Sequence, residues 1–345
     1  MYKLPEKLEK LEPYDPIQGE YEIRLDANES FIKIDIARIV QGLQNVDLNR
    51  YPDPYAKRLI QTYCDFYGVN PDLVTAGNGS DELISIISAC FLQKNDKVLC
   101  FSPDFSMYAF YSSLYELEAV IVPKKEDLTI DIDSAIQKIN SENIKAVFFS
   151  NPCNPTSLGL EKEAVIRLIR SVNALIVLDE AYMDFWDEKE SLLKETEQYD
   201  NLIVLRTCSK ALGMAALRLG FAVANRKITE KLRASKSPYN VNTLTQNVAE
   251  YLLRDKQIAA KHIELCKAAK KELFNGLNDL NTPFFETIYP SVTNFVFIKT
   301  SRAKEVFDFL LTKSIAVRYM GSYLRITAGN PEENKAVIEA LKEFK

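Results

Sequence analysis

The chain is predicted to be an α/β protein, with a large domain built on a mostly parallel seven-stranded sheet between helices and a smaller α+β C-terminal domain. Three observations predict it. Between about residues 70 and 225, short apolar runs alternate with helical segments. Several of those runs stop abruptly in loops rich in glycine, proline, asparagine and aspartate. After Ser237-Pro238-Tyr239 the pattern changes to a long helical stretch and then to mixed strands and helices.

In chain order, residues 1–25 are polar and punctuated by proline, which predicts an N-terminal arm. Residues 26–236 are assigned to the large domain. Its strands are predicted at Leu73–Ala76, Lys97–Phe101, Ala119–Val122, Ala146–Ser150, Leu175–Leu178, Leu202–Leu205 and Phe221–Ala224. Ligands of an open α/β sheet bind beyond the carboxyl ends of its strands. The loops expected to converge there are Gly77-Asn78-Gly79-Ser80-Asp81, Ser102-Pro103, Asn151-Pro152-Cys153-Asn154-Pro155, Asp179-Glu180 and Arg206-Thr207. Residues 237–345 are assigned to the small domain. Thr243-x-x-Gln246 has the form of a capping box opening one helix over roughly 243–278. A strand near Asn294–Lys299, a helix near Ala303–Lys313, strands near Ala316–Arg318 and Tyr323–Thr327, and a helix after Pro331 complete the reading.

Bulk properties narrow the function. The chain has 345 residues, 47% hydrophobic and 26% charged, with a net charge of −5. Charges of both signs are interspersed, which argues against nucleic-acid or anionic-membrane partners. No apolar run reaches the length of a membrane span and the first residues lack a signal-peptide core, so a cytoplasmic location is expected. The cysteines at 64, 90, 100, 153, 208 and 266 lack paired metal spacing, and no metal is expected. The only histidine, His262, falls in a polar helical stretch, so acid–base chemistry is left to lysine, tyrosine or carboxylates.

The stretch from Thr207 to Arg218 carries the most chemistry. It holds Ser209, Lys210 and Arg218, while Asp179 ends the apolar run Leu175–Leu178 upstream and Tyr182 follows it. Together they supply an amine able to form a Schiff base, a carboxylate, a phenol, and a cation with a hydroxyl. A pyridoxal 5'-phosphate (PLP) site uses one of each. Gly77-Asn78-Gly79-Ser80-Asp81-Glu82 opens an apolar helix, whose first N–H groups and dipole suit a phosphate. Taken alone, the same letters fit an ordinary glycine turn and helix cap. Asp179 either caps the next loop or pairs a protonated pyridine nitrogen. Tyr182 and Asn154 can hydrogen-bond the cofactor's 3-oxygen. Phe105 either stacks on the cofactor ring or belongs to the core.

The joint order of Asn151-Pro-x-Asn-Pro-Thr156, Asp179-Glu-Ala-Tyr182 and Ser209-Lys-Ala211 resembles the fold-type I PLP-dependent aminotransferases, and most closely the histidinol-phosphate aminotransferase family. Leu25-Asp-Ala-Asn-Glu29, Arg50-Tyr-Pro-Asp53, Gly79-Ser-Asp-Glu82, Thr293-Asn-Phe295 and Leu324-Arg-Ile-Thr327 extend the likeness from residue 14 to about 329. The resemblance implies a homodimeric transaminase of L-histidine biosynthesis that moves an amino group between L-histidinol phosphate and 2-oxoglutarate, giving L-glutamate. It implies Lys210 as cofactor anchor and proton carrier, and Asp179 as partner of the pyridinium. Asn154 and Tyr182 are then on the 3-oxygen, and Ser80, Asp81, Ser209 and Arg218 on the phosphate. Tyr51 would reach the cofactor phosphate of the neighbouring subunit. Arg325 would take the substrate's anionic end, assisted by Tyr14, Arg318 and Asn28. An aromatic aminotransferase and a PLP-dependent decarboxylase of an amino-acid phosphate are same-fold alternatives. A non-catalytic module that kept the fold is the reading from another class, and the presence of Lys210 disfavours it. Two departures stand out. Ser157 replaces the glycine usual after Asn-Pro-Thr, and the segment between Arg318 and Arg325 is short.

Overall fold

The computed structural model describes residues 2–9, 11, 17–44 and 46–344. Tyr14 lies outside the described residues. Helix α1 (Glu6–Glu9), strand β1 (Ile23–Arg24), and helices α2 (Ile36–Gly42) and α3 (Lys57–Tyr67) precede the large sheet. The sheet region then runs β2 (Val74–Gly77), α4 (Gly79–Cys90), β3 (Lys97–Ser102), α5 (Met107–Leu114), β4 (Glu118–Pro123), α6 (Ile132–Ser141), β5 (Ala146–Ser150) and α7 (Lys162–Ser171). It continues through β6 (Leu175–Asp179), β7 (Leu202–Thr207), β8 (Gly220–Ala224) and α8 (Arg226–Ser235). The remainder is α9 (Thr243–Leu253), α10 (Lys256–Asp279), β9 (Thr287–Ile288), β10 (Phe295–Lys299), α11 (Ala303–Thr312), β11 (Ile315–Ala316), β12 (Arg318–Met320), β13 (Tyr323–Thr327) and α12 (Pro331–Glu343).

The seven strands pair in the order β2-β8-β7-β6-β5-β3-β4. Only β8 runs against its neighbours, β2 and β7. The inner strands read as continuous apolar runs because both faces are covered, whereas no residue of the edge strand β4 is buried. Alternate residues go to opposite cores, as a period of two requires. Val147, Phe149, Ile176, Leu178, Leu202 and Val204 join one cluster with residues of α3, α6 and α7. Ala146, Phe148, Val177, Ile203 and Leu205 join the other, with α4, α5 and α8.

A second sheet, β12-β13-β10-β9, is antiparallel. Val296, Ile298, Leu324 and Ile326 pack there against α10, α11 and α12. Two packing facts bear on how the chain divides. Val248, Ala249, Leu252 and Leu253 of α9 are buried in the large-sheet core. Leu25 is buried with the second core, and β1 pairs in parallel with β11.

The helix expected over 243–278 is two helices. Asp255 caps the second, accepting from the Ile258 N–H at 3.1 Å, which ends α9 at Leu253. The expected cap at Thr243 is also off by one. Asn242, a better N-cap than threonine, accepts from the Thr245 N–H, and Gln246 turns to the carbonyls of Val241 and Asp53. Among the described residues no helix is long and apolar enough to cross a membrane.

Candidate active site

The carboxyl ends of β2, β5, β6 and β7 bring the expected loops together. At the first, α4 starts directly after β2, so its leading N–H groups have no intrahelical acceptors. Gly79 has φ +84°, and a Cβ there would lie 2.8 Å from Nη2 of Arg218. Across from it, a Cβ on Gly220 would lie 2.5 Å from the Ser80 nitrogen, so only glycine lets β8 abut this turn. Arg218, itself left-handed at φ 50°, donates to Asp81 Oδ2 at 3.3 Å and to Ser209 Oγ at 3.5 Å. A helix N-terminus, a hydroxyl and a half-exposed guanidinium are thus brought together, a geometry that suits a phosphate.

Lys210 follows Ser209 in the loop after β7. Its Nζ donates to the Ala27 carbonyl at 3.1 Å. Burial, reinforced by the Arg325 guanidinium, lowers the amine's pKa to about 8. About a tenth of it is therefore uncharged and nucleophilic at pH 7.

Asp179, the last residue of β6, is 4% exposed. Its Oδ1 accepts from the Ala181 N–H at 3.0 Å, so it does cap the following loop. Its Oδ2 accepts from the Tyr108 hydroxyl, also at 3.0 Å. Burial outweighs both donors and raises the carboxyl to about 7. A buried carboxylate in this state is stabilised by any cation placed against it. A protonated ring nitrogen fits that need.

Tyr182 is buried, and burial raises its phenol to about 12. Its oxygen accepts from Asn28 Nδ2 at 2.8 Å, which leaves the phenolic proton available to a second partner. Asn28 is fixed in turn: its Oδ1 and N–H both meet Thr327 Oγ1 at 3.1 Å, and its carbonyl accepts from Asn294. Arg325 on β13 donates to Asn154 Oδ1 at 2.5 Å and to the Asp26 carbonyl at 2.6 Å. Arg318 is the direct cross-strand partner of Arg325, so both side chains leave the same face of the small sheet.

The structure therefore joins Ser80, Asp81, Ser209, Arg218, Lys210, Asp179, Tyr182, Asn28, Asn154, Arg325 and Arg318 through direct contacts or chain adjacency. Phe105 stands edge-on to Tyr108, with centroids 5.5 Å apart. Tyr51 lies apart on the surface, 82% exposed, and stacks on Tyr239 with centroids 4.6 Å apart.

Sequence reasoning missed Tyr108, the hydrogen-bond donor to Asp179. Its spacing of one helical turn from Phe105 was the available signal. It also missed the Asp26 and Ala27 carbonyls, which no side-chain letter reveals. The two departures have structural answers. Ser157 takes the left-handed φ of 64° that a glycine would take, and its hydroxyl donates to the Pro290 carbonyl at 2.9 Å. The short segment after Arg318 is a tight hairpin, Met320 pairing Tyr323 across Gly321 (φ +66°) and Ser322.

The sequence pattern of the aminotransferase class I and II family matches residues 20–341, and the chain belongs to that family. Among its relatives, a histidinol-phosphate aminotransferase of Clostridium kluyveri is 39% identical, with 98% of this chain and 97% of the relative covered. That of Clostridium novyi is 38% identical over 96% and 94%. In fold, the chain is similar to the crystal structure of histidinol-phosphate aminotransferase from Sinorhizobium meliloti in complex with pyridoxal-5'-phosphate. The TM-score is 0.90 at 21% identity, covering 99% and 97% of the two chains. The crystal structure of the histidinol-phosphate aminotransferase from Clostridium acetobutylicum gives 0.84 at 24%, covering 93% and 98%.

Proposed function

We propose that this chain is a PLP-dependent transaminase that moves the amino group between L-histidinol phosphate and 2-oxoglutarate, serving L-histidine formation as a cytoplasmic homodimer. The likeness to relatives described as histidinol-phosphate aminotransferases, 39% over 98% of the chain, carries the substrate assignment.

The residues divide the work. When bound, PLP supplies an electron sink for charge developing at the substrate's α-carbon. Asp179 keeps the ring nitrogen protonated. Ser80, Asp81, Ser209 and Arg218 would hold the phosphate, and Phe105 would pack against the ring. Asn154 Nδ2 and the Tyr182 hydroxyl donate to the 3-oxygen. Lys210 would hold the cofactor's aldehyde end and, when free, its Nζ would take and return the proton of the substrate's α-carbon. Arg325 and Arg318 take the donor's phosphate and, in the other half-reaction, a carboxylate of 2-oxoglutarate. Asn28 orients Tyr182, and Tyr14 is assigned to the substrate phosphate. Tyr51 is assigned to the phosphate of the partner's cofactor, in keeping with a large aromatic pair left on the surface.

The test is transamination of L-histidinol phosphate with 2-oxoglutarate, with L-phenylalanine as rival donor. Arg318→Ala is expected to reduce turnover of histidinol phosphate more than of phenylalanine; equal losses would remove phosphate recognition from Arg318. For the dimer, inactive Lys210→Ala and Tyr51→Phe chains are mixed. A mixed dimer has one site carrying both lesions and one carrying neither, so activity returns. No return after verified subunit exchange would place each site within one chain.

A further inference from the structure

Beside the site lies a group that the transamination chemistry does not use. The Lys124 amine sits 2.9 Å from the sulfur of Cys153 and 3.5 Å from Asp104 Oδ2. The Lys124 and Asp104 side chains are each 1% exposed, and Cys153 is 5% exposed. Asp104 accepts from the Ser150 hydroxyl, whose oxygen accepts from the Asn154 N–H at 3.1 Å. Cys153 directly precedes Asn154. One connected set thus runs from a buried thiol and amine to the residue assigned to the cofactor's 3-oxygen.

We propose that Cys153 and Lys124 form an oxidative modification site, at which peroxide joins the sulfur to the lysine nitrogen and turns the enzyme down reversibly. The thiolate is the nucleophilic form of a cysteine, and the Lys124 amine is placed to donate to its sulfur. Burial alone would lower the Lys124 pKa, but Cys153 and Asp104 outweigh it and hold it above its ordinary value. In the first step the thiolate sulfur attacks a peroxide oxygen. The S–O bond forms, the O–O bond breaks, and the leaving hydroxide takes a proton from Lys124 and departs as water. Sulfur is oxidised and peroxide reduced. In the second step the neutral amine attacks the sulfenic sulfur; the S–N bond forms, and the hydroxyl leaves as water with a proton from nitrogen. One peroxide is consumed and two waters are released.

The consequence follows from charge. A nitrogen bonded to sulfur is no longer a cation, so Asp104 loses its buried partner. A buried carboxylate left alone is costly, and the strain falls on Ser150 and the Asn154 loop. Activity is expected to fall roughly tenfold, about what losing one hydrogen bond to a charged group costs.

The experiment treats the cofactor-loaded enzyme with hydrogen peroxide, digests it without reductant and maps the peptides by mass. A peptide joining Lys124 to Cys153, lighter by two hydrogens than its parts and separated by dithiothreitol, is expected. A joined peptide that retains one oxygen supports the same site, with a second peroxide consumed. Cys153 unmodified, or oxidised without a link, while the exposed Cys90 reacts would overturn the proposal. Activity should fall on oxidation, return with dithiothreitol, and be insensitive in Cys153→Ser. Loss persisting in that variant would overturn the switch. The activity arm rests on the assigned role of Asn154. The mass arm does not, so the two readings fail separately.

Discussion

Arg325 of the small sheet donates to Oδ1 of Asn154, a residue of the large domain's loop, at 2.5 Å. An arginine can only donate, so the contact fixes which way the amide points. The Asn154 Nδ2 is left facing away from Arg325, free to donate to a bound group. One guanidinium therefore both offers charge to a substrate anion and orients a cofactor contact.

Replacing Arg325 by lysine keeps the charge but loses the planar fork. Asn154 and the Asp26 carbonyl cannot then both be held. We expect kcat/KM to fall roughly 10–100-fold with either donor, in line with one charge-assisted hydrogen bond at about 1.5–3 kcal/mol. Absorbance should report the cofactor still bound. Unchanged kinetics would mean that lysine meets every role given to Arg325.

Tyr108→Phe removes the donor to Asp179 Oδ2 while keeping the ring packed against Phe105 and Phe148. That hydrogen bond lowers the Asp179 pKa, so its loss raises it. The acidic limb of the kcat/KM profile should move up by about one pH unit, the equivalent of one hydrogen bond of about 1.4 kcal/mol. An unmoved limb with a normal fold would detach Tyr108 from the chemistry.

The parts of this site legible in sequence are those in which a side chain does the chemistry. Asp179 ends an apolar strand, Lys210 lies in the loop after β7 and Arg218 stands just before β8, places where an uncompensated charge needs a reason. The seven strands were legible for the same cause, since two-sided burial leaves unbroken apolar runs. The division of the 243–278 helix was not, because Arg254 and Asp255 fit a helical surface; only the hydrogen bond from Ile258 to Asp255 reveals a new start. Tyr108 was hidden because a buried tyrosine in an apolar helix looks like core until its hydroxyl is traced to Asp179.

Asp179→Asn separates stability from function. A carboxyl raised from near 4 to about 7 binds its proton more tightly in the folded chain. Its contribution to the stability of the cofactor-free protein therefore falls as pH rises between those values, then stays low. Asparagine removes that dependence and keeps an oxygen for the Ala181 N–H. Cofactor-free Asp179→Asn should match the parent near pH 4 and exceed it at pH 8 by on the order of a few kcal/mol in denaturant melts. A variant no more stable at pH 8 than the parent would refute the buried-charge account, whatever its activity.

The last expectation concerns Lys210, whose amine must be uncharged to attack an aldehyde. Burial and the Arg325 cation lower its pKa to about 8. The rate at which cofactor-free protein captures PLP, followed by stopped-flow absorbance, should rise with pH through about 8 and then level. Removing the neighbouring cation with Arg325→Gln lifts one of the three causes that lower it, burial and Arg218 being the others, so the midpoint should move to higher pH. The direction is diagnostic. A lost phosphate or substrate contact would slow capture at every pH without moving the midpoint. A midpoint near the ordinary lysine value of 10.5 in the parent, or one that ignores Arg325, would show that the amine is not tuned by this site.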